Sequence, residues 1–208
     1  MPLIRKPRGA DPGAEPQPSD TLAGLTSEDA EQRWMAARRA ADSPDSLPAL
    51  AAALRVESIP RVREAMFTSL ARIGTPAAAL QVLPLLRSDD ALSRAGALDA
   101  LRIMIGKSRE LLPPLLADAD VDVRVLSCEL ARALPGDEAS SLLCDVLRQE
   151  RDANVCAAAL DVLAEVGQRS ALPVLKECAV RFANIPFLAF AIQVTVDRIN
   201  AESPRIRG

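Results

Sequence analysis

Four short stretches of this chain share one pattern, an acid followed four residues later by a fixed partner: Asp29 with Arg33, Asp90 with Arg94, Asp120 with Arg124 and, with the Arg lost, Asp152 with Cys156. A fifth stretch, Ile59-Pro60-Arg61-Val62-Arg63, keeps the Arg but not the Asp. The positions 33, 63, 94, 124 and 156 are separated by 30, 31, 30 and 32 residues. A period of that length is the mark of stacked supersecondary units, each too small to bury its own apolar face and each completed by its neighbour. This ladder limits the chain to a repeat array.

Composition says which kind of unit is stacked. The chain has 49% hydrophobic residues but only 2% aromatics, with no Tyr and no His. Ala, Leu and Arg, all strong helix formers, fill it, while the β-branched and aromatic strand formers are scarce. The spacing within each period predicts an all-α chain in which a helix A and a helix B alternate. Helix A begins at an acid or a proline, the first near Ser27, with Asp90, Asp120 and Pro60 as later starts. It then carries an apolar stripe, such as Ala65, Met66, Leu70 and Ile73 in the second repeat. It ends at a glycine turn, at Gly74, Gly106, Pro135-Gly136 or Gly167. A Leu-rich helix B follows. Pro84 and the Pro113-Pro114 pair fall inside expected B helices and predict kinks or late starts there. A last helix, from about Pro186 to Ala201, resembles a helix A without its partner. The expected layout is therefore an arm over residues 1–24, a repeat domain over 25–202 and a tail over 203–208. The arm is too rich in Pro, Gly and acid to bury a core.

The grammar resembles that of the HEAT-repeat family, in particular the short bacterial HEAT-like repeats also found in phycobilin lyases. The resemblance rests on Asp120-Val-Asp-Val-Arg124 with Leu126 and Leu130, and on Val62-Arg63-Glu-Ala65 with Leu70 and Gly74. It covers about residues 27 to 201. It implies a right-handed α-α superhelical solenoid of about five HEAT-like hairpins closed by a C-terminal capping helix. It also implies that the ladder residues Asp29, Arg33, Arg63, Asp90, Arg94, Asp120, Arg124 and Asp152 act as struts. An Asp at a helix start accepts backbone N–H bonds, and an Arg of a neighbouring repeat pairs with it.

Function is less constrained, because one scaffold hosts many activities. A net charge of −3 argues against broad nucleic-acid binding, which needs clustered positive charge. Cys128, Cys144, Cys156 and Cys178 occur singly, with no His to complete a metal site, and fit reduced buried thiols in a cytoplasmic protein. The most apolar run, Phe187–Val196, is too short to span a bilayer, which takes about 20 residues. No side chain stands out as a catalytic acid, base or nucleophile, Asp161 and Glu165 reading as solvated helix faces, and no cofactor is implied.

The expectation is a non-catalytic protein-binding scaffold or adaptor, placed in a bacterial signalling pathway. Its partner-binding candidates are Leu3, Ile4, Arg5 and Lys6 in the arm and Arg87, Lys107, Arg109, Arg148 and Lys176 on the B helices. A second basic series, Arg39, Arg72, Arg102 and Arg132, lies near the ends of the A helices, where cations suit the helix dipole; stacked, it would also offer an anionic partner a stripe. Trp34 reads as packing for the first repeat. The last helix is apolar on more than one face, which leaves a capping role and a homodimer contact both open. The alternative class is a bilin-lyase-like or nucleic-acid-modifying HEAT-like enzyme.

Overall fold

The structure is a computed structural model that describes residues 23–201. Among the described residues it holds eleven α-helices and no strand. Six form one layer, the A helices: α1 (Ala30–Ala40), α3 (Pro60–Ile73), α5 (Ala91–Met104), α7 (Val121–Ala131), α9 (Ala153–Val166) and α11 (Pro186–Ala201). The other five form the B layer: α2 (Leu47–Val56), α4 (Pro76–Val82), α6 (Leu112–Leu116), α8 (Gly136–Gln149) and α10 (Leu172–Arg181). Consecutive A helices pack side by side, and each B helix lies against the A helix that follows it. The core is therefore a continuous seam between repeats. Leu50, Met66, Leu101, Leu130, Leu143 and Leu160 are fully buried along it.

The A helices start as the acids predict, with one shift. Asp29 caps α1 by accepting the N–H of Glu31 at 2.9 Å, so the helix begins after Asp29 and not at Ser27. Asp90, Asp120 and Asp152 cap α5, α7 and α9 in the same way. At Ile59 no side chain can cap, and Pro60 supplies the first turn of α3, where its missing N–H costs nothing.

Gly74 and Gly167 close their helices as expected, but only Gly74 uses the left-handed conformation. Gly74 takes the left-handed conformation (φ 61°) after α3, which a Cβ would strain. Gly106 lies in a 3₁₀ turn, Gly136 opens α8, and Gly167 has φ −65°. The prolines act on the B layer. α4 stops at Val82 and continues through Pro84 as a 3₁₀ segment, Leu83–Arg87, because a proline ring excludes the α-helical bond at that point. Pro113 sits in the first turn of a five-residue α6 that follows another 3₁₀ turn, so the pair delays the helix and does not kink it.

Candidate protein-interaction groove

The ladder positions form a bonded column. Each of the five side chains points to the backbone carbonyl six residues before it. Arg33 donates to Ser27 O (2.9 Å), Arg63 to Glu57 O (2.9 Å), Arg94 to Ser88 O (2.6 Å) and Arg124 to Asp118 O (2.8 Å). The Cys156 thiol takes the same place toward Glu150 O at 3.9 Å. Those acceptor residues, Ser27, Glu57, Ser88, Asp118 and Glu150, are a second periodic set that sequence reasoning missed. Their side chains accept the N–H of the residue two further on, from Asp29 to Asp152. The signal was available: every member is an oxygen acceptor, and the set keeps the ladder's own period.

Arg33, Arg63 and Arg124 also reach into the next repeat, but only one of them to an N-cap Asp. Arg33 grips Glu57 with two bonds (2.7 and 3.1 Å), and Arg124 grips Glu150 likewise (2.7 and 3.4 Å). Only Arg63 reaches a cap, Asp90, and it holds Ser93 as well. Hydrogen bonds from Arg33, against the cost of burial, hold the Glu57 carboxyl below the usual carboxylate range, and its side chain is only 3% exposed. Burial pushes the Glu150 carboxyl up, but bonds from Arg124 and the N–H groups of Asp152 and Arg151 outweigh it and leave the group below its ordinary value.

The outer charges staple repeats together in the same manner. On the B side Arg87 bridges to Asp118 and Arg109 to Glu138, the latter at 2.8 Å, while Arg148 pairs within its helix with Asp145 at 2.6 Å. Lys107 and Lys176 are exposed there. On the A side Arg72 pairs with Asp42 (2.7 Å), Arg102 with Glu129 (3.4 Å), and Arg132 with Glu129, Asp161 and Glu165. Asp161 and Glu165 lie on a solvated face, 71% and 55% exposed, and pair there with Arg132. Three of the four residues of the second basic series, Arg72, Arg102 and Arg132, thus carry their own acids, which breaks up a positive stripe there. Arg38 and Arg61 lie over the Trp34 ring, 4.6 and 4.4 Å from its centre. Leu3, Ile4, Arg5 and Lys6 lie outside the described residues.

Two concavities remain. One, of about 480 Å³, lies between α6 and α8, walled by Leu116, Leu142 and Val146; its polar groups, Arg124, Glu150, Asp118 and Asp145, are those already engaged above. The other, of about 380 Å³, lies between α3 and α5 on the A side and is mostly apolar. Pro60, Glu64, Phe67 and Ala71 on α3 face Leu92, Gly96, Asp99 and Ile103 on α5. Both sets run i, i+4, i+7, i+11, so each is a straight stripe along its helix. Gly96 lets the helices close over the Phe67 ring, since a Cβ there would stand 2.5 Å from it. Leu92 and Ile103 are 64% and 70% exposed, large for aliphatics set in one groove. A glycine inside an otherwise Ala- and Leu-rich helix was the available sequence sign of this close approach.

Residues 19–102 match the family model described as HEAT repeats. Beyond that span the same acceptor, cap and rung recur at Asp118, Asp120 and Arg124 and again at Glu150, Asp152 and Cys156. The chain is thus similar to HEAT repeats over residues 19–102. Among solved structures, an engineered protein is 18% identical, with a TM-score of 0.45, over 87% of this chain and 95% of its own. A designed armadillo repeat protein in complex with the peptide (KR)4 is 16% identical, with a TM-score of 0.43, over 86% of this chain and 98% of its own. The complex of CpcE and CpcF of phycocyanin lyase from Nostoc sp. PCC7120 is 18% identical, with a TM-score of 0.40, over 95% of this chain and 100% of that one. No curated protein matches the chain.

The four cysteines of this helical array are all buried. Burial pushes the Cys128 thiol up to about 12 and Cys156 up to about 11, where the Arg181 guanidinium opposes it. Both are neutral at pH 8, so all four thiols are expected to stay unlabelled by a thiol-specific disulfide reagent in the native protein and to react once guanidinium unfolds it. The folded chain keeps protons that the unfolded one releases, so this contribution to stability is complete below about pH 9 and is lost as pH rises toward 11 and 12. Rapid native labelling of any thiol would refute the burial.

Proposed function

We propose that this array is a non-catalytic scaffold that docks an extended segment of another protein in the groove between α3 and α5. The observation that supports the reading is the pair of facing stripes with Leu92 and Ile103 left exposed beside Phe67. Apolar anchors in a groove with a few polar groups at the rim are what a peptide needs for affinity and register. An adaptor role in a bacterial signalling pathway and a cytoplasmic setting belong to the same proposal. No helix among the described residues is long and apolar enough to cross a membrane. An enzyme of the bilin-lyase or nucleic-acid-modifying kind has less support. Two guanidiniums already cover the Trp34 ring, and the clustered acids Glu129, Asp161 and Glu165 are held by Arg132.

The test is quantitative capture of partners by the wild type, by Leu92→Asp/Ile103→Asp and by Arg87→Glu/Arg148→Glu. The groove variant should lose about tenfold or more of its specific partner, while the B-side variant keeps it. Circular dichroism of each variant checks that the helices persist. Equal capture by all three would remove the groove from the function.

A further inference from the structure

The rim of the α3–α5 groove is acidic, and this narrows what fits it. Glu64 is exposed and has no ion pair among the described residues. Asp99 is 72% exposed and meets only Arg102, at 3.3 Å on its own helix. The one cation in the lining, Arg63, is turned away to Asp90, Ser93 and the Glu57 carbonyl. The groove thus offers apolar walls between two carboxylates, complementary to a short segment with aliphatic anchors followed by cations.

This chain contains such a segment. Leu3-Ile4-Arg5-Lys6-Pro7-Arg8 places two aliphatics next to three cations within six residues. We infer that the groove between α3 and α5 binds this N-terminal segment of the same chain, with Leu3 and Ile4 against the exposed Leu92 and Ile103 and with Arg5 and Lys6 beside Glu64 and Asp99. The inference rests on the scaffold reading above, and it makes the arm a competitor that any partner must displace.

Reach favours this end of the chain. Residues 9–22 provide fourteen residues of tether, roughly 45 Å when extended. They lead to Gly24, which packs against Ala36 of α1. From α1 the groove is two A helices away, about 20 Å at ordinary helix spacing. The C-terminal residues 202–208, with Arg205, Ile206 and Arg207, have a similar character but not the reach. They leave α11, three A helices or about 30 Å from α5, on seven residues that extend to about 24 Å. A tether of the N-terminal length gives an effective concentration in the millimolar range, so modest intrinsic affinity keeps the groove filled.

The experiment uses a fluorescein-labelled synthetic peptide of residues 1–10 and the full chain, followed by fluorescence anisotropy. The full chain with Leu3→Asp and Ile4→Asp frees the groove without touching it, and it should bind the peptide about tenfold or more tightly than the wild type. Adding Leu92→Asp and Ile103→Asp should abolish that binding, and Glu64→Lys with Asp99→Lys should weaken it and remove its salt dependence. Equal affinity of the wild type and the Leu3→Asp/Ile4→Asp chain would overturn docking of the arm. So would binding that survives the groove substitutions, or no binding at all to the Leu3→Asp/Ile4→Asp chain. In that last case partner capture that still depends on Leu92 and Ile103 leaves the scaffold reading standing, so the two ideas fail separately.

Discussion

Replacing Arg124 with Ala is expected to lower the free energy of unfolding by about 3 kcal/mol, because it leaves a nearly buried carboxylate without its cation. Arg124 makes two bonds to Glu150 and two to the carbonyls of Asp118 and Ala119, and both side chains of the ion pair are less than a fifth exposed. A single substitution therefore cuts the bond between the fourth and fifth A-helix starts at several atoms at once. Arg72→Ala is the control. Its pair with Asp42 is solvent-exposed on both sides, and exposed pairs contribute less than about 1 kcal/mol. Guanidinium unfolding followed by circular dichroism gives both values. The acid limb of the stability curve gives a second reading. The Glu150 carboxyl is held below its ordinary value in the fold, so its contribution is present above the unfolded value near 4.5 and is lost as pH falls below it. Arg124→Ala should flatten that limb. A loss no larger than that of Arg72→Ala would show that the rung is not a strut.

How far the fold could be read from the chain depends on whether a feature repeats. The period, the A-helix starts and the buried Leu stripes recur in every unit, and each copy supports the others; that is why the layout of α1 to α11 was legible. What was misread depends on juxtaposition between units. The N-cap Asp looked like the partner of the rung Arg because the two share one pattern, yet Glu57 and Glu150 take that role, in a set whose residue type varies among Ser, Glu and Asp while its period holds. Gly106, Gly136 and Gly167 looked like copies of Gly74, but only one of the four needs a positive φ. The groove was only half legible. Gly96 in an Ala- and Leu-rich helix signals a close approach, but Phe67 belongs to a different repeat, and nothing in its own helix says that its ring lies under Gly96.

The break in the ladder at Cys156 makes the sharpest case, because a second residue changes with it. Arg33 meets its acid 24 residues later at Glu57, and Arg124 meets its acid 26 residues later at Glu150. The charge beside Cys156 is that of Arg181, 25 residues on, a cation and not an acid. Arg181 does not look for an anion. It donates to the carbonyls of Leu147 and Arg148 at the end of α8, where the helix dipole favours positive charge. An arginine at 156 would put a second guanidinium into this place and displace a fully buried thiol, so Cys156→Arg is expected to cost about 3 kcal/mol. Arg181→Glu alone loses the bonds to the α8 carbonyls and sets an acid beside them, at a cost of about 2 kcal/mol. Together the two substitutions rebuild the Arg33–Glu57 arrangement, and the double variant should be more stable than the sum of the single losses by at least about 2 kcal/mol. The same guanidinium titrations on the four proteins close the cycle. Losses that add to within about 0.5 kcal/mol would mean that the two positions do not face each other as one rung, and that the fifth repeat lost its Arg for a reason unconnected with Arg181.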